Sequence, residues 1–313
     1  MDGPPVCYDT PVGSDPAFMI VQPYMMTNPT PEQLEQMRLA AFEDICMRHE
    51  LSDLFASKLR GLEGFKIHII CDDSGSMTAI ANSSDAPERA HGNPYGPKAT
   101  RWDELRTAVK MIVDIAGVLG QDGVDIHFLN RDGLSNVTNW AQIEPYFVAK
   151  PSGRTPIVPV LQSIYAHQTD NKRLVILLTD GEPTDPIGNV DVNTFKKVLM
   201  GRARTDYVNI IACTDDDATI AYLNNWDVEI PRLDVTDDYG NEKESILQMQ
   251  GKDFHFSKGD YIVKCMLGSV DDWFDTLDEK PINGPVKYAA HHHYHASSSS
   301  GHKHKPACKC TLF

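Results

Sequence analysis

Two aspartates end the apolar runs of this 313-residue chain: Asp72 closes KIHIICD, and Asp180 closes RLVILLTD. The first opens the string Asp72-Asp73-Ser74-Gly75-Ser76, which fits D-x-S-x-S. Between the two aspartates, Gly153-Arg154-Thr155-Pro156 places a further hydroxyl where a helix is expected to start. Carboxylate and hydroxyl oxygens are hard donors, the type that Mg²⁺ prefers in its octahedral shell. Asp72, Ser74, Ser76, Thr155 and Asp180 are therefore candidate metal ligands. The competing reading is local: Asp, Ser and Thr at such positions also cap helices and form turns. Asp73 reads as a solvent-facing or turn residue. The acidic run Asp215-Asp216-Asp217 is a rival cation spot, though acids are equally favoured at a helix N-terminus.

The elements needed to position these residues follow from periodicity. Short apolar runs at 66–72, 124–130, 173–180 and 208–215 read as strands buried on both faces. Amphipathic stretches at about 101–118, 155–168, 192–203 and 216–226 lie between and after them, and two more follow near 241–250 and 261–278. Helices alternating with doubly buried strands imply an α/β fold, Rossmann-like and doubly wound, with a mainly parallel sheet covered on both faces. In such sheets, ligands bind beyond the carboxyl ends of the strands at the topological switch point. Upstream, Thr30-Pro31-Glu32-Gln33 predicts a capped helix, with Leu34, Met37, Ala41 and Ile45 on one apolar stripe. A second helix is expected over 51–60. The organisation is thus an extended arm (1–29), a helical extension (30–64), an α/β domain (65–279) and a tail (280–313).

In this set of motifs the chain resembles the von Willebrand factor A (vWA) family with its metal-ion-dependent adhesion site. Asp72, Ser74 and Ser76 fall on the family's first motif, Thr155 on its threonine loop and Asp180 on its final aspartate. The similarity spans roughly residues 65–275. It implies that Ser74, Ser76 and Thr155 hold Mg²⁺ (or Mn²⁺/Ca²⁺) through neutral oxygens. Asp72 and Asp180 would then orient bound waters and balance the ion's charge. A protein ligand would supply an Asp or Glu to the open coordination position, so the implied activity is binding and not catalysis. One departure is the long polar stretch at about 77–99, since vWA domains reach the next helix sooner.

Enzyme readings fare worse on residue type. A haloacid-dehalogenase phosphatase needs a second Asp two residues after its nucleophile, where this chain has Ser74. No G-x-S-x-G elbow surrounds Ser74, and the glycines at 92 and 96 lack the spacing of a phosphate loop.

A net charge of −15 argues against a nucleic-acid partner, because phosphate recognition needs a basic face. The seven cysteines contain no CxxC pair, and neither a secretory signal nor an apolar run of membrane-spanning length is evident. These features predict a cytoplasmic protein. The tail has five lysines, six histidines and no acid, and reads as disordered. Its end, Cys310-Thr311-Leu312-Phe313, resembles a C-a-a-X box, which makes Cys310 a candidate for prenylation and Cys308 for palmitoylation. Two such signals would hold the protein at a cytosolic membrane face. The expected function is Mg²⁺-bridged capture of a partner carboxylate at that face. The alternatives are a regulatory subunit of a larger intracellular complex, such as an ATPase assembly, and a Mg²⁺-dependent hydrolase.

Overall fold

The computed structural model describes residues 29–81, 98–120, 122–167, 169–214, 217–223 and 225–282. Six strands form one sheet: β1 (Phe65–Cys71), β2 (Val124–Phe128), β3 (Leu134–Val137), β4 (Lys172–Thr179), β5 (Asp206–Ala212) and β6 (Leu233–Thr236). Their order is β3-β2-β1-β4-β5-β6, parallel throughout except for the antiparallel β2–β3 pair. Ten α-helices complete the described residues: α1 (Pro31–Arg48), α2 (Asp53–Lys58), α3 (Arg101–Leu119), α4 (Trp140–Ile143), α5 (Ile157–Ala166), α6 (Val192–Gly201), α7 (Asp217–Ile220), α8 (Trp226–Glu229), α9 (Tyr239–Gln250) and α10 (Lys258–Leu267). The architecture is α/β with a mostly parallel sheet, as the alternation of runs implies.

Alternate residues of the central strands feed two separate cores. Ile67, Ile69, Leu174 and Ile176 pack with α1, α2, α3 and α10 on one face. Ile70, Val175, Leu177, Val208 and Ile210 pack with α5 and α6 on the other. Burial on both faces is why these strands read as continuous aliphatic runs.

Several expected elements differ in detail. The Thr30–Gln33 capping box of α1 forms, but Leu34 and Met37 are exposed and only Phe42 and Ile45 of that helix are buried. The apolar stripe therefore seats just its C-terminal half against α3. The single helix expected over 216–226 is broken into α7, a 3-10 turn and α8, because Asn225 takes a left-handed conformation (φ 67°) at the start of α8. The last helix is shorter than its pattern and ends at Leu267. Thr155 precedes α5 by two residues, with Pro156 between them. Strands β3 and β6, four residues each, were not expected. Among the described residues, no helix is long and apolar enough to cross a membrane.

Candidate metal site

The order of the strands reverses between β1 and β4, so the chain leaves the sheet in opposite directions from these two neighbours. Asp72 and Asp180 follow their last residues and sit side by side at the carboxyl edge, both fully buried. Asp72 N donates to Leu178 O at 3.0 Å, extending the ladder by one residue.

Asp72 is held by neutral donors, and Asp180 by one neutral donor and one cation. Asp72 accepts from the Ser74 backbone N–H through Oδ1 (2.9 Å) and from the Thr179 hydroxyl through Oδ2 (2.6 Å). Asp180 Oδ1 accepts from Ser76 Oγ at 2.7 Å, and Oδ2 accepts from Arg101 Nη1 at 2.9 Å. Burial is the main force on Asp72: it pushes the carboxyl up to about 6, against the Thr179 and Ser74 hydrogen bonds, and the Asp180 charge adds to the rise. A cation above the pair would relieve this strain directly, since opposite charge favours the ionised form.

Ser74 Oγ and Ser76 Oγ share a hydrogen bond at 3.0 Å, with Ser76 exposed. Two neighbouring oxygens of an octahedron at Mg²⁺–O distances are separated by about 3 Å. The pair thus matches one edge of such a shell. Among the described residues, no group of three or more His, Cys, Asp and Glu side chains is gathered for a metal. The set here is of a different kind, with two buried carboxylates beneath hydroxyl oxygens. That chemistry fits a hard dication and offers nothing to a soft one.

Backbone bonds bring the threonine loop to this edge. Gly75 N donates to Gly153 O (3.1 Å), and Ser152 N donates to Asp73 O (2.8 Å). Gly153 has φ +112°, and a Cβ there would overlap the Asn130 carboxamide, so glycine is required. Thr155 is buried and is tied to the segment after Asp180: its N–H donates to Thr184 Oγ1 (3.1 Å), and its carbonyl accepts from Thr184 N (2.9 Å). All five expected residues therefore stand on three loops that are cross-linked at one end of the sheet.

Asp73 corrects an expectation. It is fully buried, not solvent-facing. Its carboxylate accepts from Arg131 Nε (2.6 Å), Asn130 N (2.8 Å) and Asn130 Nδ2 (3.1 Å). Arg131 in turn donates to the carbonyls of Tyr146, Ala149 and Lys150, while Asn130 donates to that of Arg154. Asp73 is the latch between the D-x-S-x-S loop and the threonine loop. Arg101 and Thr179 also escaped sequence reasoning. Thr179 carried a signal, as a lone hydroxyl at the end of an aliphatic strand. Arg101 carried a subtler one, as a cation in a helix's first turn, where the macrodipole favours anions.

The rival Asp215-Asp216-Asp217 run, most of the polar stretch (82–97) and the tail with Cys308 and Cys310 lie outside the described residues or side chains. The chain matches no family model and no curated protein.

Proposed function

We propose that this chain is a vWA-type binding module that captures a partner's carboxylate through a divalent cation held at Asp72, Ser74, Ser76, Thr155 and Asp180. The observation that carries this reading is the Ser74–Ser76 oxygen pair at 3.0 Å above two buried carboxylates. Bound Mg²⁺ would supply an electrophilic position for an Asp or Glu of the partner. The protein's own groups prepare that position. Ser74, Ser76 and Thr155 contribute neutral oxygens, which leave the ion's charge undiminished. Asp72 and Asp180 lie below, fixed by Thr179, the Ser74 N–H and Ser76, and balance the ion without closing it off. The set holds no histidine, the usual base for a serine nucleophile, which favours docking over hydrolysis. The tail cysteines would add a membrane anchor, a part of the proposal that rests on sequence alone.

The test uses the full chain on beads. A partner is expected to be retained in Mg²⁺ and released in EDTA, and a Ser74→Ala/Ser76→Ala variant should retain it in neither. Retention that ignores both EDTA and the double substitution would refute the bridge.

A further inference from the structure

Arg101 is the first residue of α3, and its charge opposes the helix macrodipole that Asp103 and Glu104 complement in the same turn. Helix electrostatics therefore do not explain a cation here. The stems of the polar segment fix its backbone: Ile80 pairs with Thr100 in an antiparallel bridge, and Arg101 N donates to Ala79 O at 3.0 Å. From there the guanidinium reaches Asp180 Oδ2 at 2.9 Å, with the Arg101 side chain only 15% exposed. The other oxygen of the same carboxylate takes the hydroxyl of Ser76, one of the proposed ligands. Arginine does not deprotonate in proteins, so this positive charge is permanent. A guanidinium and a dication that draw on one buried carboxylate repel each other and divide its charge between them.

We propose that Arg101 is a built-in competitor of the cation, a resident charge on Asp180 that lowers the metal affinity of the site. This inference rests on the proposed divalent-cation reading. It makes occupancy adjustable: whatever draws Arg101 off Asp180 tightens the hold on the ion, and ion binding releases Arg101 in return, because such coupling is reciprocal. A site of this kind loads only at raised cation concentration or when a second carboxylate takes up the guanidinium.

Mn²⁺ titration of the full chain, followed by the electron paramagnetic resonance of the free ion, tests this on wild type, Arg101→Gln and Arg101→Lys. Arg101→Gln is expected to bind Mn²⁺ about tenfold tighter, a typical coupling between sites. Arg101→Lys keeps the charge and loses the planar fork, so its affinity should fall between the two. Mn²⁺ should also raise the unfolding temperature of Arg101→Gln more than that of wild type, a response a merely structural arginine would not give. If wild type binds Mn²⁺ and Arg101→Gln binds it no tighter, the competitor role is wrong and the metal reading stands. If none of the three binds Mn²⁺, the metal reading falls and this inference with it. Should Arg101→Gln unfold without metal, Arg101→Lys decides: tighter binding than wild type supports competition, and equal or weaker binding overturns it.

Discussion

The two ends of the central strands hold their carboxylates in different ways. At the carboxyl end, Asp72 and Asp180 are held mostly by hydroxyl and amide donors, beneath an exposed serine. At the amino end, Asp125 is closed by the Lys66 ammonium (2.9 Å), the Asn136 N–H (2.9 Å) and nearby His68 (3.7 Å). Further along the same two strands, His68 Nδ1 meets His127 Nε2 at 3.1 Å beside a cavity of about 680 Å³. Their titration differs to match. Burial pushes the Asp72 carboxyl up to about 6, while burial, with the His127 charge adding to it, pulls His68 down to about 4. Burial thus favours the neutral form at both places, against a carboxylate at one and an imidazolium at the other.

The open end is kept in shape by a closed ion pair beside it, and breaking that pair should have the largest effect. Arg131→Met strips the buried Asp73 of its guanidinium and frees three loop carbonyls. The stability lost is expected to be about 3 kcal/mol, the usual scale for removing one partner of a buried pair. Urea unfolding measures it. A loss below about 1 kcal/mol would mean that Asp73 and Arg131 do not latch the loops.

The amino end supplies the next effect, in pH. His68 binds protons less readily when folded, so between pH 6.5 and about 4 the unfolded chain holds more of them. Stability therefore falls on acidification through that window. His68→Gln removes this contribution, so the difference in unfolding free energy between wild type and variant should shrink from pH 7 to pH 4. A pH-independent difference would place the His68 proton equilibrium elsewhere. Asp72 has the opposite sign, since the folded state keeps a proton between about 4 and 6 that the unfolded state releases.

The carboxyl end was largely legible in the sequence and the amino end was not, and the limit has a physical cause. The aliphatic runs placed four of the six strands, because doubly buried strands select large apolar side chains on both faces. β3 and β6 were missed because four-residue strands at the sheet's sides, such as LSNV, carry no such run. The five candidate ligands sat where strand ends and loop residues indicated. The parts that stayed hidden are pairings across long sequence separations. Asp73, Arg131 and Arg101 look like ordinary surface charges until the fold pairs them with their distant partners. Local reading assigned Asp73 to solvent or to a turn for that reason.

The finest test of the contrast is Thr155→Val. The substitution is nearly isosteric and removes one hydroxyl. The bonds that position Thr155 run through its backbone to Thr184, so they survive. Stability should change by no more than about 1 kcal/mol, the net worth of an ordinary hydrogen bond. If the hydroxyl faces the cation, Mn²⁺ affinity should fall about tenfold, the lower range for disturbing a metal's surroundings. Lys66→Met, at the amino end of β1, should leave Mn²⁺ affinity unchanged. Loss in both variants would indicate a general weakening of the sheet. Loss in neither would assign Thr155 to loop geometry alone and leave Ser74 and Ser76 as the hydroxyl donors.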